Sequence, residues 1–270
     1  MALQFPDIDP VAFSMGPLQI HWYALAYVVG FIAAWRLAIR ITKLDKNPDP
    51  RPNENDIDDY LSWAILGVLL GGRLGYVLFY NLPAYLDAPA EALKVWHGGM
   101  SFHGGVIGVV TSLVLFTQIK KVPFWRLADI AAAVTPIGFF LGRLANFVNG
   151  ELYGRVTDVA WGVVFPRGGE DPRHPSQLYE AATEGVLLFI LLFALIHIKS
   201  VRERTGMVSG AFMLGYGLFR FGCEFFREPD VQLGFILDQV TMGQILCVPM
   251  MVAGIVFMVM AGRTSRCQNT

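Results

Sequence analysis

The sequence is poor in charge: Asp, Glu, Lys and Arg make up only 16% of its 270 residues, whereas hydrophobic residues make up 54%. A soluble domain carries about 25% charged residues. The mean hydropathy is +0.47, and the apolar residues form blocks of about twenty, the length that a helix needs to cross a bilayer. The composition excludes an ordinary soluble domain and predicts a polytopic membrane protein. The formal net charge of −1 argues against nucleic acid as a partner.

Cysteine is also scarce. The three cysteines, Cys223, Cys247 and Cys267, show no metal-ligand or redox spacing and predict no disulfide framework. The first ten residues, MALQFPDIDP, lack the positive region of a cleaved signal peptide, so we expect the first apolar helix to remain in the mature protein. Neither an HExxH metal motif nor a G-x-S-x-G nucleophile motif is present, which argues against a metal site and against an intramembrane protease.

The apolar blocks predict an all-α integral membrane protein with about seven transmembrane helices in a single domain, residues 1–270. Repeated glycines within the spans, as in Gly67-xxx-Gly71-xxx-Gly75 and Gly138-xxx-Gly142, predict close approach of helix backbones. The predicted spans are 19–41, 57–80, 102–119, 126–148, 178–198, 207–226 and 238–261.

Lys and Arg residues set the orientation, because they are enriched on the cytoplasmic side of membrane proteins. With the N-terminus outside and the C-terminus in the cytoplasm, 13 of the 21 Lys and Arg residues fall at inner positions. The longest outer connection, about 149–177, carries three arginines against this trend and is dense in polar and turn-forming residues. We therefore expect this outer loop to be a small extracytoplasmic element that contributes to a site.

Every predicted span contributes polar residues to its outer end. A charged side chain in the bilayer costs at least about 2.5 kcal/mol, so it usually faces protein, water or a ligand. The pattern predicts a polar cavity open to the outer leaflet, whereas a transporter would more often place such groups at the midplane. The residues concerned are His21, Tyr23, Arg73, His103, Arg143, Asn146, Asn149, Glu151, Gln177, Glu180, Glu184, Arg220, Glu224, Arg227, Asp238 and Gln239.

In the fourth span, GRLANFVNGELYG places Arg143, Asn146 and either Asn149 or Gly150 on one helical face, and Gly150 is expected to end the helix. A guanidinium with amides and a helix end beside it suits an oxyanion such as phosphate. The alternative is an arginine that snorkels to the outer interface while the asparagines only cap the helix.

In the sixth span, RFGCEFFRE places Arg220, Glu224 and Arg227 along one charged stripe. The spacing predicts an Arg220–Glu224 ion pair within the helix. Such a pair makes both residues tolerable in lipid and also fixes the direction of the guanidinium. An ion pair that stabilises the helix in lipid and an arginine that is oriented for a ligand are therefore compatible interpretations.

The stretch HGGMSFHGG contains two of the five histidines, His97 and His103, each followed by two glycines. Glycine permits unusual backbone angles and close approach of a ligand. His103 is predicted at the mouth of the polar cavity, where an imidazole can take a proton from a thiol near neutral pH. The alternative is a histidine that caps the helix. No comparable argument assigns a function to His97.

Arg73 in the second span and Tyr23 in the first have weaker signals. We interpret Arg73 as a structural charge that supports the site rather than as a participant in catalysis. Tyr23 and Trp22 have the positions of ordinary aromatic residues at a membrane interface.

The quoted motifs, together with RHPSQLYEA, RFGCEFFREPD and GPLQIHWYALAY, resemble those of the prolipoprotein diacylglyceryl transferase family of bacteria. The resemblance runs from the first predicted span to the last. GRxxNFxNxExxG and HGGxxFHGG are its most specific patterns, and no motif position departs from them.

The resemblance implies that the diacylglyceryl group of phosphatidylglycerol is moved onto the thiol of the lipobox cysteine of a preprolipoprotein. This occurs at the outer face of the bacterial inner membrane, releases glycerol 1-phosphate and implies neither a metal nor an organic cofactor. Arg143 and Arg220 match the family's essential arginines, which we assign to the lipid phosphate. His103 matches its proposed thiol base, although a thiol activated by an arginine is an alternative. The predicted substrate-binding residues are Tyr23, Arg73, Gly104, Asn146, Glu151, Gly154 and Glu224.

Two functions of other classes compete with the transferase. A transporter or flippase for anionic lipids would require polar groups that continue into the cytoplasmic half, and the spans lack them. A membrane scaffold that only binds lipoproteins leaves Arg143, Arg220 and His103 without a purpose.

Overall fold

The computed structural model describes residues 3–6, 8–16, 18–45, 51–94, 98–229, 235–236 and 240–267. Within these ranges the chain is mostly helical. Its helices are α1 (Trp22–Thr42), α2 (Glu54–Phe79), α3 (Leu82–Asp87), α4 (Phe102–Lys120), α5 (Phe124–Val148), α6 (Ser176–Glu180), α7 (Leu188–His197), α8 (Lys199–Arg202), α9 (Met207–Cys223) and α10 (Met242–Cys267). A 3₁₀ turn covers Pro89–Leu93, and a π-helical segment, Ala181–Leu187, joins α6 to α7.

Six helices of the described chain are long and apolar enough to cross a membrane. They are α1, α2, α4, α5, the continuous helix Ser176–His197 and the first 22 residues of α10. Their bounds agree with six of the predicted spans to within a few residues, because the apolar blocks are bounded by polar, charged or turn-forming residues. The remaining predicted span, 207–226, corresponds to α9, which has 17 residues.

Three short two-stranded sheets add to the helices, and the all-α prediction omitted them. The strands are β1 (Leu3–Gln4), β2 (Val11–Met15), β3 (Leu18–His21), β4 (Val163–Val164), β5 (Phe235–Ile236) and β6 (Val240–Thr241). The pairs are β1 with β4 in parallel, and β2 with β3 and β5 with β6 in antiparallel arrangement. Four of the six strands have only two residues, too few to show the alternation by which a strand is predicted.

The chain divides into two compact units, one of Met1–Ala38 and Asp129–Thr270 and the other of Ile39–Ala128. In the second unit, α2 packs closely on α4 through glycines. A Cβ on Gly104 would lie 2.3 Å from the carbonyl oxygen of Gly71, and one on Gly108 would lie 2.0 Å from that of Gly67. These contacts confirm the close approach predicted for the first glycine repeat.

The second glycine repeat behaves differently. A Cβ on Gly138 or on Gly142 would meet no atom within 4 Å in the described part of the chain. The backbone of α1 nevertheless approaches α5 here, because a Cβ on Gly30 would lie 3.7 Å from Gly138 Cα. The approach at Gly138 therefore does not require a glycine at that position. Spacing alone shows that two glycines share a helix face, but not that another backbone lies against it.

In the first unit, α9 packs on α10, where a Cβ on Gly210 would lie 2.7 Å from the carbonyl oxygen of Gly254. The N-terminus of α9 is capped from α5. The Asp129 carboxylate accepts hydrogen bonds from the Gly206 amide at 2.8 Å and from the Ser209 amide at 2.7 Å. A carboxylate at this end satisfies amides that have no partner within their own helix.

Candidate functional site

Arg143 lies one helical turn after Phe140 on α5, and its position depends on Gly185. A Cβ on Gly185 would stand 2.9 Å from Phe140 Cα, so only a glycine permits this approach of the π-helical segment to α5. The approach brings Arg143 against the two carboxylates of the facing helix. Its Nε lies 2.9 Å from Glu180 Oε2, and its Nη2 donates to Glu184 Oε2 at 3.3 Å.

Glu180 is fully buried, with 0% of its side chain exposed, and three arginines converge on it. Its Oε1 accepts hydrogen bonds from Arg220 Nη1 at 2.7 Å and from Arg227 Nη1 at 3.1 Å. Its Oε2 makes the ion-pair contact with Arg143 without hydrogen-bond geometry. Residues from α5, α6, α9 and the turn after α9 are thus held at one carboxylate. We call Glu180 and the three arginines the arginine cluster.

Two further carboxylates border the arginine cluster. Glu184 is also fully buried, and its Oε1 lies 3.7 Å from Arg220 Nη1. Glu224 accepts a hydrogen bond from Arg220 within the same helical stretch, which confirms the predicted ion pair. Its other oxygen accepts from the Thr241 hydroxyl at 2.8 Å. The predicted binding residue Glu224 therefore orients Arg220.

Arg143 and Arg220 each keep a donor that the described part of the chain does not use. Within the described ranges, Arg143 Nη1 and Arg220 Nε have no hydrogen-bond partner. The two side chains retain 17% and 15% of their exposure, whereas the carboxylates behind them have none. An arginine held on one edge and open on another is pre-organised to receive an oxyanion such as phosphate.

The C-terminal end of α5 brings Asn146 to Glu151. Asn146 Nδ2 donates to Glu151 Oε1 at 2.9 Å, and Asn149 Nδ2 donates to the same oxygen at 3.1 Å. Gly150, which precedes Glu151, has φ +62°, a left-handed conformation that favours glycine. The helix ends here, as predicted. The Gln177 side chain donates to the Glu151 carbonyl at 2.6 Å. Asn146 and Glu151, both predicted binding residues, thus form one polar group.

Gly154 fixes the outer loop to the arginine cluster. Its amide donates to the His174 carbonyl at 2.8 Å, and the next amide, of Arg155, donates to the Phe226 carbonyl at 2.9 Å. A Cβ on Gly154 would lie 2.3 Å from the Phe226 oxygen. The Arg155 side chain also donates to the backbone carbonyl of Arg227 at 2.9 Å. Gly154 is therefore required because two backbones meet there.

Tyr23 lies in the first turn of α1. Its hydroxyl is 3.2 Å from that of Tyr27, and the ring centroids of the two residues are 5.0 Å apart. The side chain is exposed. This environment suits the interfacial aromatic residue that the sequence favours for Tyr23, and it leaves the ring accessible to a lipid.

In the other compact unit, Arg73 is buried and holds the backbone before α4 by hydrogen bonds. Its guanidinium donates to five backbone carbonyls, at distances from 2.5 to 3.3 Å. These carbonyls belong to Glu91, Ala92, Lys94, Gly98 and Gly99. A guanidinium occupied in this way has little capacity for a substrate. The geometry favours the structural interpretation of Arg73.

His103 is the second residue of α4 and is exposed, with its ring edge-on to Phe102. The helix is capped by the Ser101 hydroxyl, which accepts a hydrogen bond from the Gly104 amide at 3.2 Å. His103 is therefore not needed as the cap, and its imidazole makes no hydrogen bond to the described residues. Gly104 packs against α2, as described above. His97 lies outside the described residues.

Glu180 and Glu184 are not among the predicted catalytic and substrate-binding residues, although both belong to the polar residues predicted at the outer ends of the spans. The sequence does contain a signal that could have identified them. Two carboxylates four residues apart within an apolar helix require positive partners. Arg73, Arg143 and Arg220 were the arginines within other spans and toward their outer ends, and only Arg220 had a predicted partner, Glu224, in its own span.

Known proteins resemble this chain over nearly its full length. A family model described as prolipoprotein diacylglyceryl transferase matches residues 10–260. A protein of Azospirillum brasilense is 54% identical over 265 residues, covering 97% of this chain and 98% of its own length. Proteins of Gluconobacter oxydans and Rhodospirillum rubrum are 54% and 52% identical over 263 residues, each covering 97% of this chain and 95% of its own length. All three are named phosphatidylglycerol–prolipoprotein diacylglyceryl transferase and give no support to an anionic-lipid transporter.

Proposed function

The chain belongs to the prolipoprotein diacylglyceryl transferase family, and from this membership we propose the reaction and the residues that perform it. The enzyme transfers the diacylglyceryl group of phosphatidylglycerol to the thiol of the lipobox cysteine in a preprolipoprotein. This is the first step of bacterial lipoprotein maturation. The substrates are phosphatidylglycerol and the lipobox peptide, and the substrate peptide supplies the reacting thiol.

The observation that carries the proposal is the convergence of Arg143 and Arg220 on Glu180, with a free donor left on each guanidinium. We assign these donors to the phosphate of the lipid. During transfer, a bond forms between the thiol sulfur and the carbon of the diacylglyceryl group that carries the phosphate. The bond from that carbon to the phosphate oxygen breaks. Negative charge accumulates on the departing glycerol 1-phosphate. Fixed positive charges in a site of low dielectric stabilise this charge more than water does.

The thiol proton must leave the sulfur, and in the balanced reaction it ends on the departing phosphate. We assign its removal to His103, whose exposed imidazole at the start of α4 is free of protein hydrogen bonds in the described chain. The competing assignment is a thiol activated by an arginine, without a base. Replacement of His103 by Gln separates the two. We expect a strong loss of rate, whereas near wild-type activity at every pH would rule out the base.

The remaining assignments concern the lipid and the peptide. Tyr23 is accessible for an acyl chain or headgroup. Asn146 lies one turn beyond Arg143 on α5 and donates to Glu151, which follows the end of that helix. Gly154 and Glu224 shape the site through the outer loop and through Arg220. Arg73 and Gly104 support it indirectly, by organising the segment before α4 and the packing of that helix.

We place the enzyme as a multi-pass protein in the bacterial inner membrane, as a single transferase domain of residues 1–270. The proposed topology has seven spans, with α9 as the short sixth span, an outer N-terminus and a cytoplasmic C-terminus. Its support is the distribution of Lys and Arg along the chain. The outer loop, about 149–177, and the polar residues then face the periplasmic leaflet, where lipoprotein precursors emerge.

The test uses protein purified in detergent, phosphatidylglycerol and a synthetic lipobox peptide. Thioether formation and release of glycerol phosphate are followed together. We expect equal amounts of the two products from the wild type and nearly none from Arg143→Ala or Arg220→Ala proteins that still insert. A folded wild type without product would overturn the transferase assignment, and an active Arg143→Ala protein would overturn the phosphate assignment.

A further inference from the structure

Glu180 differs from every other carboxylate of the described chain in its surroundings, because three guanidinium groups contact it and none of its side chain is exposed. The contact distances are 2.9 Å for Arg143, 2.7 Å for Arg220 and 3.1 Å for Arg227. The arginines come from different parts of the chain. Glu180 thus joins α5 and the end of α9 electrostatically.

Three positive charges gathered around one point repel one another, and repulsion is strong where water is excluded. A buried carboxylate among them offsets this repulsion and fixes each guanidinium by a direct contact. Removal of one member of a buried ion network leaves charges without compensation. Without the negative charge of Glu180, Arg143 and Arg220 would move apart or turn toward other acceptors.

The neighbouring carboxylates cannot replace Glu180. Among the arginines of the described chain, Glu184 forms ion pairs with Arg143 at 3.3 Å and with Arg220 at 3.7 Å. Glu224 is held between Arg220 and the Thr241 hydroxyl, and its contacts lie within the α9 to β6 region. Glu180 contacts all three arginines, and it makes shorter contacts than Glu184 with both Arg143, at 2.9 Å, and Arg220, at 2.7 Å. The relative placement of Arg143 and Arg220 therefore depends on Glu180 more than on Glu184.

The helix geometry at this point supports a specialised function for Glu180. The π-helical segment Ala181–Leu187 begins immediately after it. Wider turns of this kind are rare, less stable than α-helix and frequent at functional sites. Here the segment carries Glu184 and Gly185 to the α5 surface on which Arg143 lies.

We propose that Glu180 is the positioning residue of the transferase site, which sets the distance and direction between Arg143 and Arg220 so that their free donors meet one phosphate group. This inference rests on the proposed function, because the phosphate is that of the lipid substrate. Glu180 itself faces the protein side of the arginines and does not touch the substrate. It acts on the reaction through the two guanidinium groups.

The first experiment replaces Glu180 by Gln, which keeps the shape and removes the charge. Initial rates are measured against phosphatidylglycerol concentration in detergent, per amount of folded protein. A misplacement of about 1 Å can cost about 100-fold in rate, so we expect kcat to fall about 100-fold and KM for the lipid to rise. A folded Glu180→Gln protein with wild-type kcat and KM would overturn the proposal.

The matched controls remove other carboxylates. Glu203→Gln removes an exposed charge that pairs with Lys199 on the surface at 3.7 Å, and we expect no change in kcat or KM. Glu184→Gln removes a buried charge whose ion pairs are the longer ones to Arg143 and Arg220, and its loss of kcat should be smaller than that of Glu180→Gln. An equal or larger loss in Glu184→Gln would overturn the assignment of the positioning function to Glu180.

A double variant separates positioning from simple charge balance. Glu180→Gln combined with Arg227→Gln has no net change in charge. If Glu180 positions the other two arginines, thermal stability recovers relative to Glu180→Gln, but kcat stays as low as that of Glu180→Gln. Recovery of kcat to the wild-type value would show that Glu180 only neutralises Arg227 and would overturn the proposal.

Glu180→Asp covers the case in which Glu180→Gln does not fold. Aspartate keeps the charge but is one methylene shorter, so we expect a folded protein with lower kcat and raised KM for the lipid. Wild-type values for both constants would overturn the proposal. The wild type and Arg143→Ala are assayed beside it. An inactive wild type contradicts the transferase function itself, whereas a failure confined to Glu180 contradicts only the positioning function.

Discussion

Arg143 Nε lies 2.9 Å from Glu180 Oε2 and Arg143 Nη2 lies 3.3 Å from Glu184 Oε2, so one guanidinium spans two carboxylates a helical turn apart. This arrangement needs a planar group with several donors. It fixes the direction of Arg143 and leaves Nη1 for another acceptor. A lysine offers one compact charge on a flexible stem and cannot hold the same geometry.

We therefore expect Arg143→Lys and Arg220→Lys to reduce kcat/KM by about 100-fold or more, since loss of one well-placed donor to a developing oxyanion costs that much. The measurement is the steady-state rate of thioether formation, with folding checked by thermal unfolding in detergent. Arg202→Lys is the control, because Arg202 Nη1 donates to the Ile196 and His197 carbonyls at the end of α7, whereas the arginine cluster is built on Glu180. An Arg143→Lys protein with the wild-type rate would show that a planar guanidinium with several donors is not needed.

Gly154→Ala tests whether the backbone contact between the outer loop and the turn after α9 supports the site. The added Cβ would lie 2.3 Å from the Phe226 oxygen and 2.8 Å from the His174 oxygen, and neither atom belongs to a flexible side chain. We expect a loss of about 1–3 kcal/mol in the free energy of unfolding, as for other overpacked positions. Transfer activity should fall as well, because Arg155 no longer holds the Arg227 carbonyl.

The control for Gly154 is Gly138→Ala, because a Cβ at Gly138 meets no described atom within 4 Å. Alanine is favoured over glycine within a helix, so this variant should be as stable as the wild type or slightly more stable. Equal stability of the Gly154→Ala protein and the wild type would show that the loop can adjust without loss.

The predictions made from sequence succeeded where the signal is local. Helix bounds follow from apolar blocks and their ends, and the Arg220–Glu224 pair follows from a spacing of four residues on one helix. The contact between Glu180 and Arg220 joins residues 40 positions apart. It depends on how α5, α6 and α9 pack, and the π-helical segment that helps to orient the carboxylates has no sequence signature.

The sequence HGGMSFHGG shows a similar limit. Its glycines were expected to make room for a ligand, whereas the structure gives Gly104 a contact with α2. A Cβ on Gly104 would stand 2.8 Å from Gly75 Cα. Spacing identifies a glycine as special, but it does not show which neighbour requires the glycine.

The two glycines after His103 provide a matched pair for this point. A Cβ on Gly104 would collide with the Gly71 carbonyl, whereas one on Gly105 would have its nearest neighbour, the Val68 oxygen, at 3.8 Å. We expect Gly104→Ala to lower the free energy of unfolding by about 1–3 kcal/mol and Gly105→Ala to leave it unchanged or slightly higher. Thermal unfolding of both proteins in detergent measures the difference.

An equal effect of the two substitutions would contradict the packing function of Gly104. A loss of activity in Gly105→Ala without loss of stability would instead indicate that Gly105 makes room for the substrate. The pair therefore separates the two functions of the glycines that the sequence alone could not distinguish.

His174 in the outer loop predicts a dependence of stability on pH. Burial lowers the pKa of His174 below its usual value of 6.5, while Asp158 opposes this shift. The ring accepts or donates a hydrogen bond at the Tyr179 hydroxyl, 3.1 Å away, and packs against Phe226. Because the folded protein favours the neutral ring, the contribution is fully present above pH 6.5 and is lost as the pH falls through the lowered pKa.

We therefore expect the thermal midpoint of the wild type to fall more steeply than that of His174→Gln as the pH is lowered from about 8 to about 5. Only the difference between the two curves reports on His174, because other groups titrate equally in both proteins. Asp158→Asn sharpens the test. Removal of its charge should lower the pKa of His174 further and extend the loss of stability to lower pH. Parallel curves for the wild type and His174→Gln would show that the ring titrates equally in the folded and unfolded chains, contrary to its packing in the loop.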